Sequence, residues 1–392
     1  MKVCAIIAEY NPFHNGHLRQ IEYVKNVLNA EKIVVVSSGN FTERGEGAVL
    51  NKFTRAKHAV LSGADAVIEL PTVLSVANAE TFALGAVSLI SSLGIVDGLC
   101  FGVESGEKED YLSLAKAMNN ESKEFKRILK ENLDKGYSLC KSKFEAVKSL
   151  GGVYDESLIS TPNNILGLEY VKALLKLKSD IGIYPLLRNS DHNDGKLNKG
   201  ITSAKSIRLA LDEKKIKPIR KTVPEYVYND LKTAHFSQKD FEKLILGALI
   251  TVDKKRLAEV PDCTEGLENR IKALLKDNKS IDALIGKVTT RRYTESRIRR
   301  ILTCNMLNIT RPLVLTALSR PQYAKVLAVK RESLDILTAI AEKGSVPLLT
   351  RKSDLSVLGK SASEVFSIDV LASELYNLAT DEKTNENQML VL

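Results

Sequence analysis

The stretch AIIAEYNPFHNGHLRQIEYV (residues 5–24) decides the fold that this sequence predicts. An apolar run ends at Glu9, a polar turn follows, and apolar residues then recur with the spacing of an amphipathic helix. A strand that leads through a turn into a helix is the opening unit of an α/β sheet. The turn contains His14, Gly16 and His17, so it is either a ligand site or a plain polar connection.

The same alternation continues along the first half of the chain. Short β-rich apolar runs are separated by segments with helical periodicity, which predicts a parallel, doubly wound sheet covered by helices. A Lys/Glu-rich stretch then predicts two or three exposed helices inserted at about 108–150. The strands are expected at residues 2–8, 33–37, 66–69 and 98–103, and the helices at about 17–30, 52–62 and 79–93.

The later sequence predicts a division into two domains. A capped helix over 161–177, a strand over 180–188 and a helix from 203 complete a first domain, residues 1–215. Consecutive helical patterns from about residue 222 predict a second, mainly helical domain over 216–392. Within it, PLLTRKSDLSVL (347–358) is expected to add a small strand or extended segment, and the last dozen residues to be frayed.

Composition limits the class of protein. Hydrophobic residues make up 44% and charged residues 27% of 392 residues, and no apolar run approaches the roughly 20 residues of a bilayer span. The sequence begins without a basic leader and cleavable apolar core, so we expect a cytoplasmic protein that binds no membrane. Five scattered cysteines lack the spacing of a disulfide framework or thiolate zinc site, so they are expected to be reduced.

Positive charge is concentrated late in the chain. Lysine and arginine number 26 against 24 acids up to residue 210, and 31 against 24 beyond it. Residues 291–331 hold ten of these cations and one acid, Glu295. Such a local excess suits a polyanionic partner.

The turn after the first strand has the residues of a phosphate site. Ligands of an α/β sheet bind beyond the carboxyl ends of its strands. Gly16 allows close backbone approach, the helix start presents N–H groups, and His14 and His17 can donate to phosphate oxygens. This favours a nucleoside triphosphate, although histidine, asparagine and proline also populate ordinary turns.

A second segment, ITSAKSIRLAL (201–211), has similar chemistry. It places Ser203, Ser206 and Arg208 at the start of a later helix, which is another anion-binding arrangement. The same serines also suit a plain helix cap. The two segments together favour a nucleotide site more than either does alone.

HNGH and TSAKSIR together resemble the nucleotidyltransferase superfamily, which includes class I aminoacyl-tRNA synthetases and the nicotinate and pantetheine adenylyltransferases. EYNPFHNGHL, SGNFTERGEGAVLNKFTRAKHAVLSGADAVIELP, FGVESG, PNNILGLEYVKAL, SIRLAL, GLENRI and RRYTESRIRRIL resemble the bacterial tRNA(Met) cytidine acetate ligase family over nearly the whole chain. The resemblance implies a nucleotidyltransferase-type (HxGH) Rossmann-like sheet. It also implies an enzyme that activates acetate with ATP to acetyl-adenylate and acetylates N4 of the wobble cytidine, C34, of elongator tRNA(Met).

The resemblance also implies the site residues. His14, His17 and Arg208 would be catalytic, and Asn164 could take the place of Asn163 by register. The ATP site would be formed by Ile7, Ala8, Glu9, Tyr10, Asn11, Pro12, Phe13, His14, Asn15, Gly16, His17, Leu18, Arg19, Gln20, Gly102, Asn163, Arg188, Ser203 and Ser206.

Two further polar segments allow alternatives. Residues 40–59 either contribute Arg44, Lys52 or Arg55 to an acetate or cytidine pocket, or form a solvated loop and helix start. The run RNSDHND (188–194) contains Asp191, His192 and Asp194, whose spacing matches no common metal site. A mobile loop near ATP is expected there. No protein metal site is expected, and Mg²⁺ would be carried mainly by the ATP phosphates.

The basic stretch is expected to bind RNA rather than DNA. Arginines recur there on helical spacing with a tyrosine among them, which suits RNA phosphates and a stacked loop base. A solvated helix face is the alternative, although such faces usually mix charge signs. The candidates are Arg291, Arg292, Tyr293, Arg297, Arg299 and Arg300.

Other function classes remain open at this point. A small-molecule adenylyltransferase of the nicotinate- or pantetheine-phosphate type, with a helical oligomerisation domain, would use the same phosphate motifs. It would leave AMP in a dinucleotide, whereas a ligase releases AMP and pyrophosphate with modified RNA. A non-catalytic RNA-binding protein is disfavoured by the intact His14, Gly16, His17 and Arg208.

Overall fold

One mixed sheet forms the centre of the fold in a computed structural model that describes residues 2–137, 139–151, 153–188, 202–234, 236–278 and 280–392. The strands are β1 (Val3–Ala8), β2 (Lys32–Ser38), β3 (Ala66–Leu70), β4 (Gly98–Val103), β5 (Gly182–Leu187), β6 (Ala324–Val329), β7 (Leu348–Leu349) and β8 (Leu390–Val391). The first five match the strands that the sequence predicts.

The strand order is β5-β4-β1-β2-β3-β6-β7, and β8 pairs with β6. Strands β1 to β5 are parallel, while β6 runs antiparallel to β3. The chain moves outward from β1 through β3 and then returns to place β4 on the other side of β1. This reversal is a topological switch, and ligands of such sheets bind there at the carboxyl ends of the strands.

Both faces of the parallel strands are buried, which explains their continuous apolar sequences. In β1, Val3, Ala5 and Ile7 belong to one core while Cys4 and Ile6 belong to the other. Alternate side chains of a strand point to opposite faces, so one short strand serves two cores.

Helices cover both faces, and those of the first half lie where periodicity predicts them. The residues of the predicted insert form three helices, α5 to α7. The bounds are α1 (Asn15–Asn26), α2 (Lys52–Leu61), α3 (Thr72–Ser75), α4 (Ala79–Ser92), α5 (Lys108–Asn119), α6 (Lys123–Asp134), α7 (Leu139–Ser149), α8 (Ser157–Ser160), α9 (Pro162–Leu177), α10 (Ala204–Asp212), α11 (Ile216–Ile219) and α12 (Glu225–Thr233).

The second half is mainly helical up to β6. Its helices are α13 (Glu242–Thr251), α14 (Lys254–Leu257), α15 (Leu267–Leu275), α16 (Ile281–Val288), α17 (Glu295–Met306), α18 (Arg311–Ser319), α19 (Asp335–Lys343) and α20 (Lys360–Thr380), with 3₁₀ turns at Gln238–Phe241, Arg331–Ser333 and Lys352–Val357. Their apolar residues share one core with α4 and α9.

Two expectations about the second half need correction. The run AKVLAV forms β6 and pairs with β3, although its sequence lies among helical patterns. The last residues are not a frayed tail, because β8 pairs with β6 and Glu386 is buried. The expected extended segment at 347–358 contains β7. A division at residue 215 stays a prediction, and it would separate β6 from the sheet that it completes.

A buried ion cluster attaches the C-terminal segment to the sheet. Glu69, at the end of β3, accepts from Lys52 at 2.8 Å and lies 3.3 Å from Lys325. Glu386 contacts both lysines, and Asp369 accepts from the hydroxyl of Tyr323 at 2.5 Å. Since the side chains of these charged residues are all buried, removing one partner would leave an unpaired charge in the core.

Within the described residues, no single helix has the length and apolar composition that crossing a bilayer requires. Helices α17 and α18 meet that requirement only as a pair, and they are bent by 91° relative to each other. Cys4, Cys100, Cys263 and Cys304 are free and buried, as the sequence predicts for reduced core residues.

Candidate active site

The turn after β1 is held in place by a buried guanidinium. Arg55 of α2 is fully buried and donates to the carbonyl oxygens of Leu50, Glu9, Ser38 and Gly39. It therefore ties the carboxyl ends of β1 and β2 together. The Asn11 side chain adds a second tie by accepting from the backbone N–H of Val49 at 2.8 Å.

The two histidines of the turn form the N-terminal cap of α1. His14 Nδ1 accepts from the backbone N–H of Gly16 at 3.0 Å, and His17 Nδ1 accepts from the backbone N–H of His14 at 3.2 Å. This reciprocal pair is a capping box made of imidazoles. The rings stack with centroids 3.7 Å apart.

This arrangement fixes the tautomer of each ring. An imidazole nitrogen that accepts a hydrogen bond carries no proton, so each neutral ring holds its proton on Nε2. The Nε2–H groups are therefore the donors that each ring offers beyond the cap. Helix capping and donation to a phosphate are compatible in the same side chain, because they use different nitrogens.

Several residues of the segment 7–20 have interior positions. Tyr10, Phe13 and Gln20 are buried, and Gln20 donates to the carbonyl oxygen of Cys100 in β4 at 3.1 Å. Tyr10 and Phe13 pack against the His17 ring with centroids 4.9 and 5.5 Å away. These residues position the turn. Pro12 is also buried, Ile7 and Ala8 end β1, and Arg19 is exposed on α1.

The second predicted motif begins α10 and reaches the first one. Ser203 Oγ accepts from the backbone N–H of Ser206 at 3.1 Å, so the plain cap is confirmed for Ser203, and both serines are buried. Arg208 donates to the carbonyl oxygen of Asn11 at 2.8 Å. The structure thus brings Arg208 to the turn that holds His14 and His17, as the paired motifs predict.

Gly102 lies on β4 beside β1, at the switch of the sheet. A Cβ at Gly102 would lie 3.2 Å from Cδ of Arg188, so the guanidinium stem passes directly over this strand. The backbone N–H of Arg188 donates to the carbonyl oxygen of Val103 at 2.8 Å. Burial lowers the pKa of Arg188, and nearby Glu104 opposes that shift.

The structure distinguishes Asn163 from Asn164. Asn164 is fully buried, and its side chain bonds the backbone N–H of Glu104 at 2.7 Å and the hydroxyl of Ser105 at 2.9 Å. It fastens α9 to the loop after β4. Asn163 is half-buried and donates to the Glu104 carboxylate at 2.5 Å. Asn163 is thus the better placed of the two to meet a nucleotide.

Within residues 40–59, the structure separates the three candidate cations. Lys52 and Arg55 are fully buried, and their charged groups are occupied by the ion cluster and by carbonyl oxygens. Arg44 is exposed and remains the one of the three that faces solvent. The burial of Lys52 and Arg55 follows from long-range partners that the local sequence does not reveal.

Glu43, which lies beside Glu9 at the site, was missed by sequence reasoning. Glu9 Oε1 accepts from the backbone N–H of Glu43 at 2.7 Å. Burial raises the pKa of both carboxyl groups, and that of Glu43 reaches about 7 although Arg300 at 3.4 Å opposes the shift. Glu43 therefore titrates near neutral pH, beside the end of β1.

The loop that carries Glu43 packs directly on α17. Gly45 has a φ of +75°, and a Cβ there would lie 2.9 Å from the backbone of Arg300. The hydroxyl of Thr303 donates to the Gly45 carbonyl oxygen at 2.7 Å. Glu46 lies 3.6 Å from Arg208 and 3.9 Å from Arg299. One loop therefore contacts both Arg208, at the turn after β1, and α17.

The predicted RNA-binding residues divide into two groups by their contacts. Arg300 is buried between Glu43 and Asp262, Arg299 pairs with Glu295 at 3.0 Å, and Arg297 donates to the Asp262 carbonyl oxygen. Arg291 and Arg292 are exposed, and Arg292 and Tyr293 both contact Glu265. The inner arginines hold α17 in place, while Arg291, Arg292 and Tyr293 lie at the surface.

In the described part of the chain, no group of three or more His, Cys, Asp or Glu side chains could hold a metal ion. The acidic run with Asp191, His192 and Asp194, and with it the expected mobile loop near ATP, lies outside the described residues.

Comparisons with known proteins agree with this geometry. A family model described as HIGH Nucleotidyl Transferase matches residues 1–390. A tRNA(Met) cytidine acetate ligase of Clostridium acetobutylicum is 37% identical over 96% of this chain and 96% of its own. The enzyme of that name from Caldanaerobacter subterraneus is 37% identical over 97% of this chain and 96% of its own.

Solved structures give the same fold. Thermotoga maritima TmcAL bound with alpha-thio ATP superposes with a TM-score of 0.91 at 27% identity, with 100% of both chains covered. Its apo form has a TM-score of 0.94 at 28% identity with the same coverage. The predicted nucleotidyltransferase-type fold is confirmed, and the similarity extends through the helical half, which the adenylyltransferase alternative does not explain.

Proposed function

The chain belongs to the family of the tRNA(Met) cytidine acetate ligases, and from that membership we propose that it is an ATP-dependent ligase that acetylates a cytidine of tRNA(Met). The reaction class is the joining of acetate to RNA with ATP converted to AMP and pyrophosphate. The adenylyltransferase alternative is not favoured, because relatives named tRNA(Met) cytidine acetate ligase match nearly the whole chain. The single observation that carries the proposal is the convergence of the His14/His17 cap and Arg208 at the turn after β1.

In the first step, an acetate oxygen attacks the α-phosphorus of ATP and pyrophosphate leaves. Negative charge grows on the phosphate oxygens, and donors that are already in position stabilise that charge without reorganising. His14 and His17 offer Nε2–H groups from rings that the cap holds rigid, and Arg208 offers a guanidinium. We assign these three residues to the phosphates, with Gly16 allowing close approach.

The remaining nucleotide contacts follow from the topological switch. The end of β4 is surrounded by Gly102, Asn163 and Arg188. We assign these residues to the nucleoside part of ATP, on the β4 side of β1, away from the phosphates. Asn163 is preferred to Asn164 for this role because both ends of the Asn164 amide form hydrogen bonds inside the protein. Mg²⁺ is assigned to the ATP phosphates.

In the second step, the N4 amine of the wobble cytidine attacks the acetyl carbonyl of acetyl-adenylate. AMP leaves and the amine loses one proton. The Glu9–Glu43 pair supplies a carboxylate whose pKa is raised to about 7, which suits a proton acceptor at neutral pH. Arg291, Arg292 and Tyr293 are assigned to the RNA, as an exposed cationic surface with an aromatic ring.

The proposal is tested by the products of ATP. Incubation with ATP, acetate and tRNA(Met) should release AMP and pyrophosphate in equal amounts, and omission of acetate should abolish both. Arg208→Gln should slow this release strongly, while Lys25→Gln, which removes an exposed cation from the last turn of α1, should not. Transfer of AMP to a phosphorylated small molecule, with no requirement for acetate, would contradict the proposal.

A further inference from the structure

A second basic surface lies beside the nucleotide site. Residues 214–221 connect α10 to α12 and contain five cations and no acid. All five side chains are exposed. They are Lys214, Lys215, Lys217, Arg220 and Lys221. We call this stretch the basic connector.

Backbone contacts fix the basic connector against the start of α1. The backbone N–H of Asn15 donates to the Thr222 carbonyl oxygen at 3.0 Å, and the Asn15 side chain donates to the Lys221 carbonyl oxygen at 3.2 Å. Ile219 and Val223 are buried in the core that also contains α1. The connector therefore has a set position, one residue away from the His14 cap.

Most of its charge is not neutralised by the protein. Lys215 pairs with Glu213 at 2.7 Å and Arg220 pairs with Glu225 at 3.2 Å. In the described part of the chain, the side chains of Lys214, Lys217 and Lys221 form no ion pair. This contrasts with the inner arginines of α17, which are held by acids.

Helix α1 extends the same surface. Arg19 is exposed and lies four residues after Asn15. Residues four apart lie on one face of a helix, so Arg19 shares the face whose first turn contacts the basic connector. The basic connector and Arg19 are thus both positioned by the first turn of α1, which also holds the His14 cap.

We propose that the basic connector, together with Arg19, binds the phosphates of the RNA strand that enters the active site. The inference rests on the proposed function, and it names a contact surface on the nucleotide side of the molecule in addition to α17. Exposed lysines spaced along a segment suit a polyanion with phosphates at intervals, because each bound phosphate releases counterions. A single triphosphate would need converging donors, which His14, His17 and Arg208 already provide.

The test removes three unpaired charges at once. Lys214→Gln, Lys217→Gln and Lys221→Gln form the triple variant. Its matched control is Lys123→Gln, Lys130→Gln and Lys135→Gln, which removes the same charge from exposed positions of the helical insert. Both sets of substitutions change exposed residues. A thermal unfolding midpoint equal to that of the wild type verifies that each variant folds.

The expected result is weaker tRNA binding in the triple variant only. For the triple variant, the slope of log tRNA affinity against log salt concentration should become shallower by roughly 0.7 to 0.9 for each lost phosphate contact. The KM for tRNA should rise as the affinity falls. The KM for ATP in pyrophosphate release is measured alongside. Equal tRNA affinities and salt slopes in the triple variant and its control would overturn the proposal.

Two outcomes separate this inference from the function on which it rests. A raised KM for ATP with unchanged tRNA affinity would assign the connector to the triphosphate and overturn the RNA contact. Absence of acetylated cytidine with the wild-type enzyme would contradict the proposed function. Filter binding of tRNA to the same proteins would still test the surface.

Discussion

Two substitutions of His17 separate its role in the helix cap from its role in the chemistry. His17 Nδ1 accepts the backbone N–H of His14 at 3.2 Å, which is the capping-box position of a glutamine or glutamate. His17→Gln can keep that hydrogen bond, and His17→Ala cannot. Both variants remove the imidazole ring, with its stacking and its rigidly held Nε2–H, although the amide NH₂ of glutamine remains a donor on a flexible side chain.

The magnitudes follow from these contacts. Both variants lose the ring stacking, so the difference between them isolates the cap, which is worth about 0.5–2 kcal/mol. One preorganised donor to a transition-state oxygen is worth about 2.7–4 kcal/mol, or roughly 10²–10³ in rate. We therefore expect a loss of roughly 10²–10³ in rate for His17→Ala, a loss no larger for His17→Gln, and a lower free energy of unfolding in His17→Ala than in His17→Gln.

The assays are urea unfolding and the initial rate of pyrophosphate release from ATP and acetate, with tRNA affinity as the control. If His17→Ala kept more than about a tenth of the wild-type rate, the imidazole would not be a transition-state donor. If both variants lost tRNA affinity in proportion to rate, His17 would be a structural residue whose removal disturbs the whole molecule.

Three further predictions concern the rest of the fold. Glu386→Ala should lower the free energy of unfolding by about 3–5 kcal/mol because the two buried lysines, Lys52 and Lys325, would then share the single carboxylate of Glu69. Glu364→Ala, on the exposed face of the same C-terminal region, should have little effect in the same urea titration. Glu43→Gln should flatten the pH dependence of the free energy of unfolding. Burial raises the folded pKa of Glu43 to about 7, so the wild type loses up to about 3 kcal/mol of stability as the pH rises from about 5 to 7. A variant with the wild-type pH dependence would contradict this. Arg291→Ala should weaken tRNA binding and lower its salt slope by roughly 0.7 to 0.9, while normal binding would make Arg291 a solvated residue.

Local sequence was sufficient for the parallel core of the fold. Strands β1 to β5 are apolar on both faces, and their helices have clear periodicity, so short-range patterns located them. Strand β6 was missed because AKVLAV is short and its pairing partner, β3, lies more than 250 residues earlier. The C-terminal tail was misjudged for the same reason, since Glu386 is polar in sequence and is buried only because Lys52 and Lys325 surround it.

The candidate site shows the same limit. The motifs around His14 and Arg208 could be recognised because each motif is contiguous, and the fold then brings Arg208 to Asn11. Glu43 and Glu46 gave no signal, since their partners on α17 are about 250 residues away. The burial of Lys52 likewise depends on Glu386, which no local pattern connects to it.

The most direct test of the central claim is the fate of acetate. The enzyme is incubated with ATP, acetate labelled with ¹⁴C and total tRNA. The tRNAs are then separated into fractions, and each fraction is digested to nucleosides, which are resolved and counted. We expect label in a single acetylated cytidine, only when ATP is present, and only in the fraction that contains tRNA(Met). Label that stays in free acetate or acetyl-adenylate with every tRNA, while ATP is consumed, would contradict it.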